Sequence, residues 1–435
     1  MLLLLCAEIY FFKMKTTTGT NLFSSLCVCC TFQTSRIAYA INPGLNLLMN
    51  LRMVQITMAG GLTPESSFAF SSCAFALCGI DHHDLAAFCA KVSNSLLGRF
   101  GQKYAHIAAP TLILSILAYR QPLQALVEEF REAYKNAMAV GDIDWAVVSV
   151  AQVTNLSIYA PERGKTLGDV QDEFRHNLQE LSMYNHKLFS IYSCPLKEAL
   201  CNLRRDESVS DSSAGVSDPP TAYFTADQDH MISVCASKNL RNSLRKIYSN
   251  RMWLSYLYRR HDLAAECATK HQEFAAGNPM YASIETIVET FYLGLVASAV
   301  LRDRLLLGSD SDSDVEKWKK ILTDVTNKVS RWNQEDSSWN FQHKIDLLHA
   351  EQAFTDGDYP RAVEMYESSI KNAGKHSFIN ELALACERFG LFHQSVGNTL
   401  EAHTHLMLSE QHYRAWGATR KADDVHHLVQ SMPML

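Results

Sequence analysis

The chain has 435 residues, 47% of them hydrophobic and 20% charged, a composition that excludes a disordered polymer and an integral membrane protein. Its 40 basic and 46 acidic residues give a net charge of −6, so the molecule as a whole is not attracted to nucleic acid or to an anionic membrane. The 19 glycines and 11 prolines are 4.4% and 2.5% of the 435 residues. Both fractions are below the averages of about 7% for glycine and 5% for proline. So few helix breakers in a long chain favour a helical protein.

The N-terminal segment, residues 1–36, contains no helical repeat and differs in composition from the rest, so we leave it unassigned and open to disorder. Its apolar run has no preceding basic residue and contains Glu8, which argues against a secretory signal peptide. The twelve cysteines follow no regular spacing and are expected to be reduced. The apolar stretch Ala105–Tyr119 contains Pro110 and is shorter than the roughly 20 residues of a membrane-spanning helix. We therefore expect a cytoplasmic protein without a membrane span.

Turns between paired helices recur along the chain. The segment HDLAAFCAK from His83 is nearly repeated as HDLAAECATK from His261, and a further turn, GDIDWA, begins at Gly141. The pattern predicts five hairpin turns, near residues 82, 141, 261, 357 and 397. Each predicted hairpin buries too little apolar surface on its own, so neighbouring hairpins must stack.

The last two predicted hairpins share one plan. Gly357 and Gly397 lie 40 residues apart, and so do Ala362 and Ala402. Glycine at the bend supplies the left-handed backbone that a helix end commonly needs, while matched alanines let paired helices approach closely. The repeat predicts an all-α fold, an α-solenoid of tetratricopeptide-like helical hairpins wound into a right-handed superhelix.

Two polar stretches interrupt the predicted array. The first, rich in Ser, Asp and Pro, is interpreted as a flexible acidic linker over residues 206–222. It separates a first helical half, residues 37–205, from a second, residues 223–425, which ends in the tetratricopeptide-like pair; residues 426–435 form a tail. The second stretch is the acidic loop GSDSDSD, residues 308–314.

The acidic loop contains three candidate phosphorylation sites, Ser309, Ser311 and Ser313, each followed three residues later by an acidic residue, a pattern that suits an acidophilic kinase. A calcium loop would require glycine where Val315 stands and a bidentate glutamate where Ile321 stands. The spacing therefore favours a solvated loop that can be phosphorylated over a calcium site.

No catalytic constellation is found in the sequence. Gly164-Lys165-Thr166 lacks the earlier glycine of a phosphate-binding loop, because Tyr159 occupies that position. The paired histidines do not form a His-Glu-x-x-His arrangement, and the order of residues around His261 differs from a kinase catalytic loop. The basic and aromatic stretch from residue 241 to 260 is interpreted as hairpin core rather than as a binding face for single-stranded nucleic acid. We therefore expect no enzyme, no cofactor, no metal site and no nucleic-acid partner.

Several segments together resemble a known helical arm. They are the stretch NPGLNLLMNLRMVQITMAGG from Asn42, the stretch EEFREAYKNAMAVGDIDWAVVSV from Glu128, the hairpin after Trp339, and above all Phe378–Ala418, which ends in YRAWGA. They are similar to the tetratricopeptide-like arm of very large signalling proteins, over roughly residues 37–425. In that family a serine/threonine kinase-like domain and an AAA-type ATPase precede the arm, and GAF and histidine-kinase domains often follow. None of the catalytic motifs of those domains is present in this sequence, so no catalytic residue can be carried over.

The resemblance and the repeats lead to one expected function with two alternatives. The first is a non-catalytic scaffold in signal transduction that binds a protein or peptide on its concave helical surface, with Asn380, Glu387 and His393 expected to line the groove. The second is the regulatory arm of a larger ATP-dependent signalling kinase whose catalytic domains lie outside this chain. The third is a small-molecule sensor, which an apolar pocket between the two halves would favour.

Overall fold

The computed structural model describes residues 43–63, 65–100, 105–184, 187–204, 226–276, 283–307, 312–333 and 337–432, together with five residues between 26 and 34. The predicted linker 206–222 and most of the segment 1–36 lie outside the described residues. Within them the chain is all-helical and has no strand, which confirms the all-α prediction.

Eighteen helices are found in the described residues from position 43 onward. They are α1 (Pro43–Gly60), α2 (Ser66–Gly79), α3 (His83–Phe100), α4 (Ala105–Leu117), α5 (Leu126–Val140), α6 (Ile143–Tyr159), α7 (Leu167–Ser182), α8 (Lys187–Leu203), α9 (Ala226–Ser237), α10 (Arg241–Leu257), α11 (His261–Ala275), α12 (Ile284–Leu307), α13 (Asp312–Trp332), α14 (Ser338–Asp356), α15 (Tyr359–Lys375), α16 (Ile379–Ser395), α17 (Thr399–Trp416) and α18 (Thr419–Gln430). The last helix extends past residue 425, so part of the predicted tail is helical. Helices that follow one another in the chain pack as neighbours, most closely in the pairs α2–α3, α5–α6, α10–α11, α12–α13, α14–α15 and α16–α17.

All five predicted hairpin turns lie between two packed helices. Each contains a residue with a left-handed backbone: Asp81, Gly141, Arg259, Gly357 and Gly397. The amide of the next residue donates to a carbonyl five positions back, as in the bond from Asp358 N to Ala353 O (2.9 Å). This pairing satisfies a carbonyl that the helix end leaves free. Three further turns of the same kind, at Asn239, Ser377 and Gly417, were not predicted.

The sequence repeats correspond to repeated packing. The near-identical segments begin helices α3 and α11, and in both the same three positions of the segment are buried: two alanines and a cysteine. In the last two hairpins Ala362 and Ala402 are fully buried. The Ser369 hydroxyl donates to His343 O and the Ser409 hydroxyl to Ala383 O, each at 2.8 Å, which repeats one helix–helix bond 40 residues along the chain.

The helices form a buried inner layer and a solvent-facing outer layer. The outer helix α15 buries a single stripe of side chains, Ala362, Tyr366, Ser369 and Ala373, at the three-to-four-residue spacing of one helix face. The inner helices α14 and α16 instead bury residues on all sides. An inner helix covered on every side requires partners beyond its own hairpin.

Those partners come from the other half of the chain. Asn340 Nδ2, on α14, donates to Ala118 O (3.2 Å) and Gln121 O (2.6 Å), and its Oδ1 accepts from Leu123 N (3.1 Å). Asn380 Nδ2, on α16, donates to Tyr159 O (2.9 Å). One continuous hydrophobic core extends from α1 to the end of α18. The two predicted halves are therefore packed against each other.

One described helix is long and apolar enough to cross a membrane: α12, over Ile284–Leu305. The chain itself buries 89% of the most apolar window of that helix, and two glutamates in the helix are ion-paired, Glu285 with Lys246 Nζ at 3.0 Å and Glu289 with His271 Nε2 at 2.9 Å. A buried core helix passes the same test of length and composition, so this helix alone is weak evidence for a membrane span.

Candidate functional site

The three side chains predicted to line a groove all lie on inner helix α16. Asn380 is buried, and its Nδ2 atom donates to Tyr159 O at 2.9 Å. Glu387 is buried as well and serves as an acceptor within the chain. His393 lies near the end of the helix and is 8% exposed. Two of the three side chains are thus engaged in contacts that hold the fold together.

Glu387 is the centre of a buried charged network that joins the turn between α10 and α11 to α16, α17 and α18. Its carboxylate accepts from Arg259 Nη1 (2.5 Å), Lys421 Nζ (2.8 Å) and Tyr413 Oη (3.0 Å). Asp424 accepts from the same Arg259 and Lys421 side chains. Each buried charge has a counter-charge, and the ammonium group of Lys421 also has a backbone acceptor, so the network is internally satisfied.

A second buried network surrounds Glu351 on α14. The carboxylate, which is fully buried, accepts from Arg388 Nε (2.8 Å), Arg302 Nη2 (2.8 Å) and Tyr366 Oη (2.7 Å). Burial alone would raise the pKa of Glu351, but the two guanidinium groups hold that pKa at about 2. In both networks the central carboxylate is buried and paired within the chain, which holds the inner helices in place.

Of the candidate phosphorylation sites, Ser309 and Ser311 lie outside the described residues. Ser313 is exposed and lies in the first turn of α13, next to Asp314, which pairs with Arg304 at 3.1 Å. A phosphate at the N-terminal end of a helix is favoured by the helix dipole. Phosphorylation of the acidic loop stays a prediction.

A cleft of about 270 Å³ lies beside this loop, between α11, α12 and α13. Its wall contains four acidic side chains, Asp262, Glu266, Asp303 and Asp314, and two basic ones, Arg304 and Lys317. His261 lines the cleft, and its Nδ1 atom lies within hydrogen-bond distance of Asp303 Oδ2, at 2.8 Å. A cavity between the two halves, bordered by Asn155 and Lys246, has a volume of about 30 Å³, far below the roughly 300–1,000 Å³ of a typical ligand pocket.

The motifs set aside in the sequence have structural roles. Gly164 to Thr166 form a loop between α6 and α7. The Thr166 hydroxyl accepts a hydrogen bond from Asp169 N, and the Asp169 carboxylate accepts one from Thr166 N. This reciprocal pair is a capping box at the start of α7. In the basic stretch from 241 to 260, Trp253, Tyr256 and Tyr258 are buried in the core. This confirms that the aromatic side chains of that stretch belong to the hairpin interior.

The last two hairpins carry several exposed apolar side chains, and we call this set the exposed apolar edge. Five of the thirteen large hydrophobic side chains that are exposed in the described residues belong to it: Tyr359, Val396, Leu400, Met407 and Leu408. The turn between α16 and α17 lies beside the start of α15, where the Tyr359 ring contacts Phe392 with 5.8 Å between centroids. Leu400, Met407 and Leu408 follow on α17 at the spacing of one helix face.

A cluster of two histidines and one glutamate lies at the same turn. His393 at the end of α16, and Glu401 and His405 on α17, place one potential ligand atom each within 4.8 Å of the others. The two imidazole rings are nearly parallel, with an interplanar angle of 9° and 5.7 Å between centroids. Burial lowers the pKa of both histidines, so both rings are neutral at neutral pH. Sequence reasoning missed this cluster, although the four-residue spacing of Glu401 and His405 is visible on a helix.

Comparison with known proteins gives no family for this chain. No family model matches the sequence, and no curated protein is significantly similar to it. The resemblance to the arm of large signalling proteins therefore stays a prediction that rests on the quoted segments.

Proposed function

We propose that this chain is a non-catalytic scaffold, a right-handed solenoid of tetratricopeptide-like hairpins that binds a protein or peptide partner within a signalling assembly. The observation that carries the proposal is the exposed apolar edge at Tyr359, Val396, Leu400, Met407 and Leu408. Large apolar side chains grouped on a soluble surface mark sites of protein association more often than isolated ones do.

The partner surface is assigned to this edge rather than to the inner helices. Asn380 and Glu387 on the inner helix α16 already have partners within the chain, so using them would require breaking buried contacts. The side chains of the edge are free of that cost, because Leu400 is 59% and Met407 51% exposed. Leu400 and Met407 also lie on a helix whose opposite face packs against the core. A rigid helix face loses little conformational entropy when a partner binds.

Capture of partners by matched variants tests this proposal. The tagged full chain is expressed in its source cells as wild type, as the edge variant Leu400→Asp/Met407→Asp, and as the control variant Val140→Asp/Met183→Asp. The control residues are 60% and 76% exposed but lie on other helices. Captured proteins are quantified by mass spectrometry, and circular dichroism verifies that each purified variant is folded.

The expected result is a partner that wild type and control capture equally and that the edge variant captures at least about tenfold less. Two central apolar contacts are each worth 1 kcal/mol or more at a protein interface, and 1.4 kcal/mol already corresponds to tenfold in affinity. Equal capture by all three proteins would place the partner surface elsewhere. Absence of any protein enriched by the wild type would contradict a scaffold function.

A further inference from the structure

His393, Glu401 and His405 bring two imidazoles and one carboxylate together at the turn between α16 and α17. His393 is more than nine-tenths buried, and its Nδ1 atom has no hydrogen-bond partner in the described part of the chain. A buried polar atom without a partner is costly, and each such atom in a folded protein calls for an explanation.

We propose that His393, Glu401 and His405 form a binding site for a divalent transition metal ion, with zinc as the ion that suits these ligands best. Two imidazole nitrogens and one carboxylate oxygen form the donor set of three-ligand zinc sites. Such a site leaves a fourth position for water or for a group from a partner.

The distances agree with a site that closes on metal binding. The Nε2 atom of His405 is 3.7 Å from Glu401 Oε2, and the three ligand atoms lie within 4.8 Å of one another. In a tetrahedral site with bonds of about 2.0–2.1 Å, ligand atoms are about 3.4 Å apart. Side-chain rotation covers the difference, because the Glu401 side chain is 47% exposed and free to turn towards the histidines.

Both imidazole rings are positioned by packing in the apo chain. The Phe389 ring contacts His393 at 4.4 Å and His405 at 4.3 Å between centroids. The turn that joins the two helices is fixed by the bond from Asn398 N to His393 O (2.9 Å) and by the left-handed Gly397. The metal ion would therefore tie α16 to α17 at little cost in ordering.

Metal titration of the purified full chain tests the site. The chain is stripped with chelator and titrated with Zn²⁺ by calorimetry and with Co²⁺ by visible absorption, as wild type and as the variants Glu401→Gln and His405→Asn. Glu401→Gln keeps the fold because its side chain is half exposed, which guards against loss of binding through unfolding. The matched control is His403→Asn, a histidine on the same helix that is not part of the cluster.

We expect the wild type and His403→Asn to bind one equivalent of Zn²⁺. Both cluster variants should bind at least 100-fold more weakly, because loss of an outer partner of a metal ligand alone costs about 10–100-fold. The visible spectrum of bound Co²⁺ should be that of an ion with nitrogen and oxygen ligands, without a thiolate charge-transfer band. Three results would each overturn the proposal: the wild type does not bind Zn²⁺, both cluster variants bind as tightly as the wild type, or a thiolate band assigns the metal to cysteines. The two histidines would then serve only as packing partners of Phe389.

Discussion

Charged side chains inside this helical protein are paired rather than excluded. Glu351 and Glu387 are nearly inaccessible to water, and each accepts hydrogen bonds from two basic side chains and a tyrosine. A buried ion pair contributes little net stability compared with apolar residues of the same shape, but loss of one partner leaves an uncompensated buried charge. The networks therefore make the inner helices sensitive to single charge changes.

The substitution Glu351→Gln tests this sensitivity. It keeps the size of the side chain but leaves Arg302 and Arg388 without their shared counter-charge, so we expect a loss of about 3 kcal/mol in the free energy of unfolding. The matched control Glu364→Gln neutralises an exposed glutamate on α15 and should change stability by less than about 0.5 kcal/mol. Urea unfolding measures both. Equal, small effects of the two substitutions would show that the Glu351 network does not support the fold.

The same carboxylate predicts a pH dependence. Its pKa is lowered from 4.5 to about 2 in the folded chain, so between these values the unfolded chain binds more protons than the folded one. The ionised Glu351 therefore stabilises the folded chain above pH 4.5, and this contribution to the free energy of unfolding is lost as the pH falls towards 2. The Glu351→Gln variant should show a shallower loss over this range than the wild type.

Residue types explain which turns were predictable. Gly357 and Gly397 indicate their turns because glycine adopts a left-handed backbone without strain. The turns at Asp81 and Arg259 have no glycine and were found from the repeated segment that follows each of them. Asn239 and Ser377 have neither a glycine nor that repeat, so their turns were missed, as was the one at Gly417. The buried glutamates were equally hidden, because their partners lie 15 to 128 residues away in the sequence, and no periodic pattern links residues so far apart.

Helix packing at the level of elements depends on close approach at a few small residues. Gly390 on α16 faces α17, and a Cβ atom built at this position would lie 2.7 Å from Leu406 Cγ and 3.1 Å from Ala402 O. Ser409 bridges the same pair of helices. The spacing between α16 and α17, and with it the geometry of the edge and of the histidine cluster, is thus set by Gly390.

The substitution Gly390→Ala should destabilise the chain by about 1–3 kcal/mol, because the added methyl group pushes into Leu406 and the backbone of α17. Gly374→Ala is the control, since its Cβ atom would meet nothing closer than Leu382 at 3.9 Å. Alanine at that position should stabilise α15 by up to about 1 kcal/mol through its higher helix propensity. Thermal or urea unfolding measures the stability of both variants. If both substitutions stabilise the chain, α16 and α17 do not approach each other as closely at Gly390 as described.

Apolar periodicity predicts the outer helices better than the inner ones. The single buried stripe of α15 is predictable from the spacing of residues such as Ala362 and Tyr366, because the opposite face of the helix is exposed to solvent. Helices α14 and α16 are buried on all sides, so their charged residues, which a pattern treats as exposed, lie in the core. The prediction that Asn380 and Glu387 line a groove placed both residues on an inner helix, and in the structure both side chains have partners within the chain.

At the scale of the whole molecule, the two halves form one body of helices with a shared core. Five of the hairpin turns were predictable from local repeats, because a turn and its two helices are close in sequence. The contact between the halves was not, because it depends on bonds such as the one from Asn340 to Ala118 O, 222 residues apart. This contact covers the inner helices α14 and α16, and the exposed apolar edge of the last hairpins is the surface that we propose for a partner.

Oxidative footprinting of the chain with its captured partner tests this account most directly. Tyr359 and Met407 on the exposed apolar edge are 48% and 51% exposed, while Met183 and Tyr184, on the other half, are 76% and 50% exposed and serve as internal references with the same side-chain chemistry. We predict that binding lowers the oxidation of Tyr359 and Met407 several-fold and leaves both references unchanged. Protection of the references instead, or unchanged oxidation of all four side chains in the complex, would contradict the assignment of the partner surface.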